Sequence, residues 1–195
     1  MSKHRLEALS DGVFAVVMTL LVLEIKPELE PHASNEAVRH MLQTLAGPLL
    51  AYAFAFLITC IFWSLHHRKF TMLRHTDAVH SGLSLAFLFS VVLLPISISI
   101  YLKAVGSGLA QAIYFGNFTL IALPLLLSWL YAQRFGLVDP ARAAAAQAGL
   151  TGKVVAMTAI GLVATLASYF EKPMLFWLVA VILVIRLKQR FRPTP

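Results

Sequence analysis

The chain has 195 residues, 59% of them hydrophobic and 13% charged, with 16 Lys and Arg against 9 Asp and Glu for a net charge of +7. A soluble domain carries about 25% charged residues, so this composition excludes an ordinary water-soluble fold and points to an all-α integral membrane protein. The positive residues stand at the ends of apolar segments and not in a basic patch with interleaved aromatics, so membrane topology accounts for them and no nucleic-acid partner is expected.

The first predicted span covers residues 5–26, R-L-E-A-L-S-D-G-V-F-A-V-V-M-T-L-L-V-L-E-I-K. As a helix it reaches roughly 30 Å, enough to cross a bilayer core. Counting about 100° per residue places Gly12, Val16, Thr19, Leu20 and Leu23 on one stripe. By the same count Asp11 falls about 140° from Val16, pointing behind the stripe into neighbouring helices, where an ionisable group is a candidate functional residue. The run continues into E-I-K-P-E with no small-residue cleavage site, so a retained helix is expected and not a cleaved signal.

Residues 27–40 read as an acidic external loop, with Ser34 as N-cap of a short helical stretch. The second span is expected over about 47–66, opening on Gly47 and Pro48 and ending in H-H-R-K-F. The third, about 82–102, carries Pro95 near its middle and should kink there. K-A-V-G-S-G at 103–108 is long enough only for a tight turn, so the fourth span, about 109–132 with its own Pro124, should form an antiparallel hairpin with the third. D-P-A-R-A-A-A-A-Q-A-G at 139–149 reads as a short cytoplasmic helix, with Asp139 as cap, Pro140 at the first position and Gly149 past the end. The fifth span follows over about 153–170. The sixth, about 173–190, is short and crosses only if Arg186 and Lys188 snorkel to the interface.

Placing the N-terminus inside puts Lys3, Arg5, Arg68, Lys69, Arg74, Arg134, Arg142, Lys153, Arg186, Lys188, Arg190 and Arg192 on the cytoplasmic side, leaving Lys26, Arg39, Lys103 and Lys172 outside. This asymmetry predicts a multi-pass protein of the cell inner (plasma) membrane with both termini cytoplasmic. No internal repeat appears, so residues 1–195 form one six-helix domain. Cys60 is the only cysteine, which excludes a disulfide framework and a thiol metal cluster.

Several residues could carry function. Val16, Leu20 and Leu23 on one helix stripe are, on spacing alone, ordinary helix packing, although a ring of such side chains can gate a pore by dewetting. Thr19 could offer a hydroxyl to a partly dehydrated cation, or simply bond back to the Ala15 carbonyl, and both can hold together. Arg5, Ser10, Asp11 and the His66/His67 pair fall at the same end of the membrane, with Trp63 one turn inward. A buried carboxylate there needs a cation or donors beside it, so a network locking the first helix against the second is expected.

The run R-x-x-x-x-S-D-G-V-F-A-V-V-M-T-L-L-V-L-E-I at 5–25, reinforced by W-S-L-H-H-R-K-F at 63–70, resembles the signature of the transmembrane protein 175 family of potassium channels. Leu9 stands where that family usually has Phe before Ser-Asp. The resemblance implies a six-helix subunit that assembles as a homotetramer, with the first helices lining a pore permeable to potassium over sodium. It turns the stripe into a pore lining, with Val16, Leu20 and Leu23 as the hydrophobic constriction and Thr19 as the potassium-selectivity position. It also favours His66, which fits the family's Trp-x-x-His spacing, over His67. No T-V-G-Y-G loop is present, so a backbone-carbonyl filter is not expected. No cofactor is expected, only potassium as the permeant ion.

Two rivals come from other classes. A small-solute or proton-coupled transporter should show repeat symmetry or broken helices in corresponding positions, and Pro95 and Pro124 fall in adjacent spans instead. A membrane di-iron enzyme would need H-x-x-H-H boxes, which His66, His67, His75 and His80 do not make, so neither an enzyme nor a metal site is expected.

Overall fold

A computed structural model describes residues 2–27 and 29–171, with the side chains of 142–148 left aside. The expected sixth span at 173–190 lies outside the described residues. These residues form an all-helical bundle: α1 (Lys3–Leu20), α2 (Asn35–Met72), α3 (Ala78–Val92), α4 (Leu94–Lys103), α5 (Gly108–Arg134) and α6 (Pro140–Tyr169), with a 3₁₀ turn at Leu21–Glu24. Among the described residues, five segments are long and apolar enough to cross a membrane: Lys3–Glu24, Asn35–Met72, Ala78–Lys103, Gly108–Arg134 and Gly149–Tyr169.

Two boundaries differ from the sequence-based expectation. Ser34 caps a helix, accepting the Ala37 N–H at 3.2 Å, but that helix is α2 itself, which runs unbroken through Pro48 for 38 residues. At 1.5 Å per residue it is about 57 Å long, so it projects well beyond a bilayer core. Likewise Asp139 caps Ala141 at 3.0 Å and Pro140 opens a helix, but Gly149 does not end it. Glycine in a helix interior costs only about 1 kcal/mol, and it terminates a helix only where the chain turns away. The short helix and the fifth span are therefore one element.

The expected distortion at Pro95 is a full break. α3 stops at Val92 and α4 restarts at Leu94, with Pro95 in its first turn, where a missing N–H costs nothing. Asn117 of α5 covers the break: its Nδ2 donates to the Ser90 carbonyl at 3.1 Å, and the Ser97 hydroxyl reaches its Oδ1 at 3.2 Å. The turn at 104–107 closes as expected, with Gly106 at φ 93° and Ser107 capping Ala110.

α5 and α6 approach closely because small residues face each other. A Cβ placed on Gly161 would lie 2.8 Å from Thr119 Oγ1, and one on Gly108 would lie 2.8 Å from the Ser168 carbonyl. Small residues at such crossings let membrane helices gain packing where no hydrophobic effect drives them together. At the end of the bundle that carries the N-terminus, the start of α6 is tied to the end of α2 by Arg74 N–H to Leu137 O and Asp139 N–H to Met72 O, both 2.9 Å. Lys3 Nζ donates to the Leu73 carbonyl at 2.7 Å, bringing α1 to the same place.

Candidate functional site

α1 shows two distinct faces. Leu6, Ser10, Phe14, Val17 and Leu21 are buried, at spacings of 4, 4, 3 and 4 that keep them on one side of the helix. The opposite side of the subunit exposes Gly12, Val16, Thr19, Leu20 and Leu23, with Val16 at 55%, Leu20 at 42% and Leu23 at 64% of full exposure. An apolar stripe left bare along a spanning helix is a surface that lipid, another subunit or a pore must cover. The 3₁₀ turn adds one detail. At three residues per turn Leu23 comes to lie over Leu20, so the stripe narrows to a single line at that end.

The Thr19 hydroxyl donates to the Val16 carbonyl at 2.8 Å and the Ala15 carbonyl at 3.2 Å. Its one proton is thereby engaged inside the helix, and the oxygen lone pairs are what it presents outward.

The polar residues divide into two groups, not one network. Asp11 is not aimed behind the stripe. It sits on the exposed flank, where its Oδ1 accepts the Trp63 indole N–H at 2.8 Å. The helical count explains this: the buried face centres roughly 120° from Val16, leaving Asp11 about 100° away from that centre. Ser10 takes the inward position, and its Oγ lies 3.0 Å from His66 Nε2. His66 is 2% exposed and its ring lies between Phe87 and Phe70, with centroids at 4.6 and 4.7 Å. His67 is the outer one of the pair, with Nδ1 3.6 Å from Glu7 Oε1 and its ring stacked on Trp63. Arg5 is exposed and makes no hydrogen bond or ion pair among the described residues, so within one subunit it meets neither Asp11 nor His66.

Sequence reasoning missed a second polar group behind His66. Lys69, counted above among the surface cations that set topology, is 0% exposed and donates to Ser128 Oγ at 2.9 Å and Ser84 Oγ at 3.5 Å. His80 is also 0% exposed. A signal was available: in H-H-R-K-F, positions 66, 69 and 70 share one helix face, so a buried His66 carries Lys69 inward with it. At the loop edge, Asp77 accepts the His80 backbone N–H and the Tyr131 hydroxyl, each at 2.7 Å. These two donors hold its carboxyl below the usual carboxylate range, the backbone bond having the larger effect.

Chemically, the arrangement provides a bare apolar stripe with one hydroxyl, flanked by a carboxylate at one end. The family described as endosomal/lysosomal potassium channel TMEM175 matches residues 5–95, which include all of this face and the helix behind it. A protein named potassium channel from Chryseobacterium is 39% identical over 98 residues, 50% of this chain and 47% of that protein. Another of that name from Streptomyces collinus is 34% identical over 142 residues, 70% of this chain and 68% of that protein. The match thus spans about half the length of the first and two thirds of the second. Among solved structures, one described as a lysosomal potassium-selective channel TMEM175 homolog from Chamaesiphon minutus superposes with a TM-score of 0.72 at 26% identity, covering 94% of this chain and 97% of that one. These proteins are ion channels and not enzymes.

Proposed function

This chain belongs to the TMEM175 family, and on that premise we propose that it is one subunit of a homotetrameric channel permeable to potassium over sodium, with its pore lined by α1. Val16 forms the narrowest ring, Leu20 and Leu23 extend the apolar lining, and Thr19 sets the ion preference through its outward lone pairs. The sixth span at 173–190 completes the subunit, which crosses the inner (plasma) membrane with both termini cytoplasmic. Ser10, Asp11, Trp63, His66 and His67 hold α1 against α2, and the exposed Arg5 is left to meet Asp11 across subunits.

The observation that carries this reading is the bare stripe on α1 opposite a fully packed face. One helix cannot close a pore, and a cyclic assembly of identical faces can. The reading is tested by flux from liposomes under potassium and then sodium gradients. Val16→Asn should raise resting conductance, because a polar ring wets more readily than an apolar one. Thr19→Val should lower the potassium preference and leave conductance nearer the parent's. Absence of any flux, or a stable monomer as the sole species by native mass measurement, would overturn it.

A further inference from the structure

A groove of about 280 Å³ opens on the surface of the bundle between α2 and α6. Phe54, Ile58 and Ile61 of α2 form one wall, Met157 and Ile160 of α6 the other, and the buried Phe118 of α5 lies beneath. The lining is almost wholly apolar. Phe62 stacks on Phe118 at 6.5 Å and Phe54 meets it edge-on at 6.1 Å. Those contacts join α2 to α5, and the groove is the gap between α2 and α6.

Both walls lead to a cation at the end of the bundle that carries the N-terminus. On α2, Phe54, Ile61 and Arg68 follow at spacings of seven, which shift only about 20° around the helix at each step. On α6, Lys153, Met157, Ile160 and Ala164 follow at spacings of 4, 3 and 4, which keep them on one stripe. α2 runs toward this end and α6 away from it, so the groove ends at Phe62 on one helix and Met157 on the other. Arg68 lies six residues beyond Phe62, about 9 Å along the axis, and Lys153 four residues beyond Met157, about 6 Å. Side chains tilt toward the start of their own helix, so Arg68 leans back toward the groove and Lys153 leans outward, which narrows the difference in depth between their charges.

Both side chains are exposed, and neither charged group makes a hydrogen bond or ion pair among the described residues. The acids at this end are taken: Glu7 by His67, Asp11 by Trp63, Asp77 by the His80 N–H and Tyr131, and Asp139 by Arg74 and the Ala141 N–H. Residues 172–195 contain no Asp or Glu and so supply none.

We propose that the groove holds one acyl chain of an anionic phospholipid whose phosphate is bound between Arg68 and Lys153. The guanidinium offers paired N–H groups to two phosphate oxygens, and the ammonium adds a compact charge. Basic pockets between membrane helices suit such headgroups. A zwitterionic lipid offers the same chain, but its own amine already offsets its phosphate, so the two cations select for net negative charge. The acyl chain joins α2 to α6 across the groove. None of the residues belongs to α1, so the site stands whether or not α1 lines a pore.

The test uses the full-length protein in phosphatidylcholine liposomes that carry a small fraction of phosphatidylglycerol with a diazirine midway along one acyl chain. After photolysis, peptide mapping should place the label on α2 within 54–62 and on α6 within 157–164. A phosphatidylcholine with the same diazirine chain is the comparison, and it needs no variant. At about fivefold in affinity for each basic residue, phosphatidylglycerol should label the groove roughly 25-fold more than phosphatidylcholine does. Arg68→Gln and Lys153→Gln should each lower its labelling about fivefold, and the double variant should abolish the preference. Arg39→Gln, an exposed cation at the other end of α2, should label like the parent. Equal labelling by the two lipids would overturn the proposal, as would label confined to other surfaces or an unchanged preference in the double variant.

Discussion

Asn117→Leu isolates the polar clasp over the helix break. α3 ends at Val92, so Ser90 is among the last four residues whose carbonyls have no intrahelical donor, and Asn117 Nδ2 supplies one at 3.1 Å. Leucine has the same branching at Cγ and is larger, so no cavity forms, and the loss of the polar groups is the main cost. Removing the donor forfeits one bond and leaves the Ser90 carbonyl unpaired at a buried site, about 1–3 kcal/mol in a protein interior. Hydrogen bonds between membrane helices average only about 0.6 kcal/mol, because the unfolded helices find other partners, so about 1–2 kcal/mol is expected. The Ser97 hydroxyl already reaches the Leu94 carbonyl at 2.9 Å, so Ser97→Ala should cost less than Asn117→Leu. Unfolding midpoints in mixed micelles read both values. If Asn117→Leu unfolds at the parent's midpoint, or if Ser97→Ala costs as much, the break is not held by Asn117 in the way described.

Four further substitutions probe three other links. Asp77→Asn removes a carboxyl held below its ordinary range by the His80 N–H and Tyr131; the stability from that group is present above the unfolded value and lost as pH falls through the folded one, so the variant should be less stable than the parent near neutrality and the gap should close in acid melts. Gly161→Val drives a Cβ to within 2.8 Å of Thr119 Oγ1 and 3.3 Å of its backbone and should lower the unfolding free energy by about 1–3 kcal/mol, whereas Gly149→Ala, with nothing within 4 Å, should raise it by up to about 1 kcal/mol. Phe14→Ala empties a site that is 1% exposed and should cost about 3–5 kcal/mol in unfolding experiments, leaving the reversal potential of any surviving current unchanged.

The spans were legible because apolar runs bounded by charge demand helices in a bilayer, and the caps at Ser34 and Asp139 were legible because their side chains act on backbone within a few residues. Where α2 began was not, since Pro48 reads as a helix opening and only tertiary contact reveals that the helix continues through it. The stripe on α1 followed from periodicity, but the direction of Asp11 did not: a residue roughly 100° from the buried face can turn either way, and the Trp63 indole decides it. Lys69 was misread for a different reason. A lysine at a membrane edge is an interfacial cation in most proteins, and its burial depends on two serines, Ser84 and Ser128, that lie 15 and 59 residues away in the chain.

The polar flank of α1 bears on why the bare stripe is unsuited to lipid. Val16, Leu20 and Leu23 would be content against acyl chains, so they do not discriminate between lipid and protein neighbours. Asp11 does. It lies on the exposed flank with one indole N–H for its carboxylate, and a charged side chain left to face lipid is disfavoured. Gly12 beside it adds no apolar surface, and a Cβ built there meets nothing within 4 Å in the subunit. A face that combines a carboxylate, a glycine and a hydroxyl with three large apolar side chains gains little from lipid and much from water on one side and a second copy of itself on the other. Four such faces around an axis would place the apolar rings inward and bring Arg5, exposed and unpaired among the described residues, within reach of the neighbouring subunit. That supports an assembly built around α1 over one in which α1 forms the outer wall.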